Sequence, residues 1–172
     1  MDIFTKTVSA EVGQFDELAL DEQNLILQAM QARLRAQAPY SNYWVGAAVE
    51  TNDGILAIGC NVERVSYSQT THAEQNAIDS LVAANGPIKI SAIAFVAAPG
   101  THKIITRPSE ECIIKNIKDI PVPCGHCLQI IWENCDGDPN VKLLAMTPSG
   151  YVIRTTIGDA FPMRFGPEAL NK

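Results

Sequence analysis

Basic residues are scarce in this chain: 13 Lys and Arg stand against 19 Asp and Glu in 172 residues, a formal net charge of -6. No stretch gathers enough positive charge to attract a phosphate backbone, so nucleic acid is not the expected partner. No apolar run approaches the length that crosses a bilayer, and the opening MDIFTKTVSAEVGQFDE lacks the basic start and continuous apolar core of a secretory signal. The expectation is a cytoplasmic protein with no membrane partner. Internal repeats and low-complexity tracts are absent too. Hydrophobic residues make up 47% and charged residues 19%, a balance that excludes general disorder, and the length suits one domain over residues 1–172. Five cysteines (Cys60, Cys112, Cys124, Cys127 and Cys135) cannot all pair, and a reducing compartment keeps them as thiols. Any close pair among them therefore poses a question of metal or redox chemistry.

Helices alternate with strands along the chain. Phe15 to Ala38 reads as one amphipathic helix, with Leu18, Leu25, Leu27, Met30 and Leu34 near helical spacing and Pro39 as its stop. Trp44 to Glu50 and Ile55 to Cys60 are strand-like runs joined by Thr51-Asn52-Asp53-Gly54, whose Asp-Gly signals a hairpin. Thr71 to Ala84 reads as a helix ended by Asn85-Gly86-Pro87, Ile90 to Ala98 as a buried strand, and Cys124 to Asn134 as a further helix. Val141 to Thr147 and Tyr151 to Thr155 complete the set as strands turning at Pro148-Ser149-Gly150. Such alternation favours a single sheet with helices on both faces, and the hairpin makes that sheet mixed. Pro99 to Pro121 is harder to read. It mixes Lys103, Arg107, Lys115 and Lys118 with Glu110, Glu111 and Asp119, admits a short helix opening at Pro108, and shows no legible function.

Chemistry concentrates in Thr71-His72-Ala73-Glu74-Gln75 and Pro123-Cys124-Gly125-His126-Cys127, each at the expected first turn of a helix. Cys124 and Cys127, three apart, share a helical face and can aim both sulfurs at one centre, where free N–H groups of the helix start favour thiolates. That is half of a tetrahedral zinc site. His72 can supply the third ligand, leaving the fourth position for water, the arrangement of a catalytic zinc. Glu74 follows His72 too closely to be a second ligand from the same face, but it can hang its carboxylate beside that water as a proton carrier. The pattern H-x-E followed by P-C-x-x-C is the signature of zinc deaminases, which replace an amino group on a ring carbon with oxygen.

Plainer readings compete. A lone histidine at a helix start is more often a cap or a packed residue than a ligand. A C-x-x-C at a helix start also has the form of a thiol-disulfide oxidoreductase using Cys124 and Cys127, and Gly-His between the cysteines occurs in disulfide isomerases. That alternative leaves His-Ala-Glu unexplained and normally wants an aromatic, not Pro123, before the first cysteine. A noncatalytic zinc module has no need of Glu74.

The chain from about Pro39 to Leu170 resembles the cytidine deaminases of pyrimidine salvage. Ala38-Pro39-Tyr40-Ser41-Asn42-Tyr43 with Val45-Gly46-Ala47-Ala48 is similar to the family's opening stretch, Gly59-Cys60-Asn61-Val62-Glu63 to the stretch that holds the ribose, and Phe161 to Glu168 to the family's ending. The resemblance implies an α/β fold, three-layer α/β/α with a five-stranded mixed sheet, carrying an insertion at about 99–121. It implies one zinc per chain held by His72, Cys124 and Cys127, with Glu74 as the catalytic acid-base. Tyr43 would lie in the nucleoside pocket, Asn61 and Glu63 would hold the ribose hydroxyls, and the backbone of Ala73 and the carbonyl of Val122 would meet the pyrimidine edge. Phe165 would cover the base bound in a neighbouring subunit of a homodimer or homotetramer. The implied reaction converts cytidine or deoxycytidine to the uracil nucleoside and ammonia, Glu74 passing a proton to N3 and then to the departing amine.

Three departures stand out. The zinc motifs lie 124 − 72 = 52 positions apart, widened by residues 99–121; Leu128 occupies the position after the second cysteine where the family commonly has Arg; and Arg64 replaces a small polar residue. The alternative within enzymes is a deaminase of another small aminopyrimidine nucleoside or nucleoside antibiotic, keeping His72, Glu74, Cys124 and Cys127 but not the ribose contacts. A deaminase that edits nucleic acid would want a basic groove, which the charge opposes.

Overall fold

Period-two alternation organises the sheet. The structure, a computed structural model, describes residues 1–107, 114–166 and 170; the short helix expected to open at Pro108 lies outside them. Along β2 (Tyr43–Thr51), β4 (Ile90–Pro99) and β5 (Lys142–Met146), side chains divide between two apolar layers. Ala47, Val49, Ile93, Phe95, Leu143 and Ala145 enter one layer, and their chain neighbours Ala48, Ala94, Val96, Leu144 and Met146 the other. Both faces are apolar, so both must be covered. The helix α1 (Leu20–Arg33) covers one with Leu25, Ile26 and Ala29. The helices α2 (Ala73–Asn85) and α3 (Gly125–Asn134) cover the other with Ala77, Ile78, Leu81, Ile131 and Trp132. This is the expected α/β/α arrangement.

The sheet has six strands, not five. With β1 (Glu11–Gln14), β3 (Leu56–Cys60) and β6 (Tyr151–Thr156), its order is β1-β6-β5-β4-β2-β3. Among the described strands only β4 and β5 run parallel, and α3 lies in the connection between them. β1 escaped the sequence reading because it is short, polar and without alternation; the sheet edge suffices to hold it, with Glu11 opposite Arg154 and their side chains bonded at 2.7 Å.

The expected helix from Phe15 begins later. Phe15–Glu17 form a 3-10 turn, Leu18 is extended, and α1 starts at Leu20, where Glu22 reaches back to accept from the Ala19 N–H at 3.3 Å. α1 also ends before Pro39, at Arg33, as the N–H groups of Leu34, Arg35 and Ala36 turn to carbonyls three residues back. A four-residue helix, Ile157–Ala160, was not anticipated; the Thr156 hydroxyl caps it by accepting from the Asp159 N–H at 3.1 Å. Among the described residues no helix is long and apolar enough to cross a membrane.

One close approach sets the position of α2. A Cβ on Gly59 would sit 2.3 Å from the Ala77 nitrogen and 2.5 Å from the Ala73 carbonyl oxygen, so the first turns of α2 rest directly on the backbone of β3. Gly59→Ala must therefore push the helix outward. It should lower unfolding free energy by about 1–3 kcal/mol in urea titration, the usual cost of overpacking; an unchanged midpoint would show that the contact is not tight.

Candidate metal centre and active site

Two helix starts meet above one end of the sheet. His72 precedes α2 and Cys124 precedes α3, both with extended backbone (φ -76°, ψ 155° and φ -65°, ψ 163°), and neither side chain caps its own helix. Their carbonyls do the helical work, accepting from Asn76 and Leu128 at 2.9 Å, so the imidazole and thiol are left to point away. Cys127 follows one turn into α3 on the same face. The result is a compact donor set: His72 Nδ1 lies 3.3 Å from Cys124 Sγ and 3.3 Å from Cys127 Sγ, and all three ligand atoms fall within 4.8 Å of one another. A tetrahedral zinc with ordinary bond lengths holds nitrogen and sulfur about 3.5 Å apart. The group fits one zinc ion.

Electrostatics point the same way. Cys127 is fully buried, and burial, reinforced by the negative charge of Glu74 and the neighbouring Cys124, pushes its thiol far above the ordinary range. A divalent ion bound there would offset the charge of two thiolates.

His72, Glu74 and Cys124 line a cavity of about 350 Å³, at the small end of ligand pockets. Tyr43, Asn61, Ala73 and Val122 line it as well, so seven of the expected site residues converge there. Phe95 and Val45 also form its walls and were missed, since an apolar strand residue looks the same whether it faces core or ligand; Thr70, in the loop before His72, lines it too. A larger groove of about 610 Å³ opens at the opposite end of the sheet, beside Lys89, Asp136 and Lys142; none of the expected site residues lines it.

Three expected residues, Glu63, Phe165 and Cys127, the last fully buried among the metal donors, do not line the cavity. Glu63 is buried behind it, where its carboxylate accepts from the Ser41 hydroxyl and from the N–H groups of Tyr40 (2.9 Å) and Ser41 (3.2 Å); the Ser41 hydroxyl chiefly holds that carboxyl below its usual range. Phe165 is half exposed, with its carbonyl accepting from Gln129 Nε2 at 3.1 Å. Asn61 does line the cavity while bridging strands: Oδ1 accepts from the Val45 N–H and Nδ2 donates to the Tyr43 carbonyl, both at 2.9 Å. The departures also find places. Leu128 packs in the apolar layer under α3, so its position faces away from the metal ligands, and Arg64 is exposed, donating to the Glu63 carbonyl at 3.2 Å.

Residues 20–141 match the family described as the cytidine and deoxycytidylate deaminase zinc-binding region. The chain belongs to this family. Two relatives agree over nearly their whole length: a cytidine deaminase of Sporosarcina psychrophila is 33% identical over 152 residues, 88% of this chain and 96% of the relative. One of Halalkalibacterium halodurans is 34% identical over 152 residues, 88% of this chain and 99% of the relative. A crystal structure of cytidine deaminase from Burkholderia pseudomallei superposes with a TM-score of 0.65 at 38% identity, covering 83% of this chain and 97% of that one. In this zinc-binding family the donor set should be carried by the protein as purified. Metal analysis should find one zinc per chain in the native protein and a large deficit in Cys124→Ala and Cys127→Ala; zinc-free native protein cycling a Cys124–Cys127 disulfide would overturn the metal reading.

Proposed function

We propose that the protein hydrolyses cytidine and deoxycytidine to uridine or deoxyuridine and ammonia. The observation that carries this reading is the shared cavity: a proton carrier, Glu74, stands beside the metal donors on a pocket of nucleoside size. None of the described residues lining it is Lys or Arg, which favours a neutral nucleoside over a nucleotide. His72, Cys124 and Cys127 would hold the zinc, which when bound supplies a water activated for attack at neutral pH.

The chain's own residues do the rest. Glu74, only 6% exposed, has little solvent competing for its proton; it accepts one from the attacking water, delivers it to N3 of the pyrimidine, and then serves the departing amine at C4. The Val122 carbonyl and the backbone of Ala73 hold the pyrimidine edge, and the Tyr43 ring borders the nucleoside. Asn61 keeps one lone pair and one N–H beyond its strand bridges for a ribose hydroxyl. Glu63, buried behind the pocket with its carboxylate bonded to the Tyr40–Ser41 turn, would have to turn from those bonds to reach the other hydroxyl. Residues 1–172 act as one catalytic domain in the cytoplasm, the segment 99–121 being an insertion whose Ile114 and Ile120 pack onto the core beneath α2 and α3.

Glu74→Ala should keep its zinc and lose about 10²- to 10⁴-fold in kcat with cytidine, followed by ultraviolet absorbance. A nearly active variant would place the proton carrier elsewhere. Native protein active only on other aminopyrimidines would favour the alternative substrate class.

Phe165, exposed at its own surface, is proposed to close the pocket of an adjoining subunit in a homodimer or homotetramer. Phe165→Ala should then mainly raise KM, by a stacking loss of about 1–3 kcal/mol. Mixing Phe165→Ala with Glu74→Ala subunits should regain activity in hybrids, whereas a fully active monomer would contradict the shared pocket.

A further inference from the structure

On the sheet face away from the metal donors, α1 buries a cation that no acid among the described residues pairs with. Arg33 is 2% exposed. Its Nε donates to the Trp44 carbonyl at 3.2 Å, and Nη2 to the carbonyls of Ala98 and Pro99 at 3.1 and 2.7 Å. The guanidinium lies 5.7 Å from the centre of the Trp44 ring. Among the described residues it forms no ion pair, and Nη1 donates to no protein group. Burial pulls its pKa below the usual range, with Tyr43 opposing, yet an arginine keeps its proton in protein interiors. Carbonyl dipoles and an aromatic face satisfy part of such a group but supply no countercharge.

Arg33 is also a wall of a cavity of about 380 Å³ between the last turn of α1 and the segment Gly100–Ile104. His102 and Lys103 line it, and no Asp or Glu does. That segment opens the insertion, the part of the sequence whose function was not legible. Its start is fixed in place: Gly100 donates to the Asn42 carbonyl at 2.8 Å and His102 to the Pro99 carbonyl at 2.9 Å. A Cβ on Gly100 would fall 2.5 Å from the Trp44 ring, so the loop is pressed against the ring that faces Arg33. The carbonyl end of α1 would ordinarily repel an anion, but the carbonyls of Gln31, Ala32 and Arg33 are engaged by the N–H groups of residues 34–36.

We propose that this cavity is a second binding site, for a phosphate-type oxyanion, with Arg33 as its buried anchor and Lys103 as its exposed outer clamp. Arg33 Nη1 donates to one oxygen, and the Lys103 ammonium meets another from the solvent side. Among the described residues no acid lines the cavity with the two cations, so a doubly charged oxyanion matches them where a single carboxylate would leave a surplus. Free phosphate and the phosphate of a nucleotide present the same chemistry. The site stands independently of the deamination reading, and its failure would leave that reading untouched.

Isothermal titration of the zinc-loaded full chain with inorganic phosphate at constant ionic strength tests the assignment. Saturable binding of one phosphate per chain is expected, weakened at least tenfold in Lys103→Glu and in Arg33→Met. Because Arg33 also ties β2 to β4, Lys103→Glu, an exposed change, decides the matter if Arg33→Met fails to fold; its zinc content should match the native protein. Adenosine 5′-monophosphate competing with phosphate identifies a nucleotide ligand, and its failure to compete identifies free phosphate. No saturable phosphate binding, or equal binding by Lys103→Glu, would overturn the site.

Discussion

The structure depends on one convergence: the starts of α2 and α3 meet so that an imidazole and two sulfurs share a space sized for a single ion. Neither motif makes the centre alone, because His72 and Cys124 are 52 positions apart in sequence and 3.3 Å apart in space. The fold supplies the meeting through two devices. The close seat of α2 on Gly59 fixes one helix, and the parallel step from β4 to β5 brings α3 back over the same face. The second sulfur is fully buried, and its donor type, with the other sulfur and an imidazole beside it, suits the same occupant as the geometry.

The pocket beside that centre is walled by residues whose positions are set from behind. Asn61 ties the start of β2 to the end of β3 with both ends of its amide, and Glu63 gathers the Tyr40–Ser41 turn with three donors. A cavity built on strands and braced by buried hydrogen bonds is already shaped before ligand arrives, which lowers the ordering cost of binding. Gln75 and His126 add a link between the two helix starts: the His126 Nε2 and Gln75 Oε1 lie 3.3 Å apart, and the His126 ring stands edge-on to His72 at 5.4 Å.

Much of this was legible because the strongest signals were local and mutually consistent. The Asp53-Gly54 turn announced the hairpin, and Gly54 does adopt a positive φ of 76°. The His-Ala-Glu and Pro-Cys-Gly-His-Cys stretches carried their chemistry in residue type and spacing, and they stand where helix starts were expected. What stayed hidden depends on partners distant in sequence. β1 is a strand only because β6 offers an edge, and the late start of α1 reflects the Ala19–Glu22 cap against a stretch whose propensity alone would extend the helix. Phe95 reads as core in any strand, and the commitment of Glu63 to Tyr40 and Ser41 appears only when the turn folds over it. Likewise Arg33 looks like a charge in the last turn of an exposed helix until the ends of β2 and β4 close around it.

The central claim is that one zinc ion is held by one nitrogen and two sulfurs. X-ray absorption at the zinc edge of the native protein tests it directly. The account predicts two sulfurs at about 2.3 Å and lighter atoms, His72 nitrogen among them, at about 2.0–2.1 Å. A shell of four sulfurs, or one without sulfur, would contradict it.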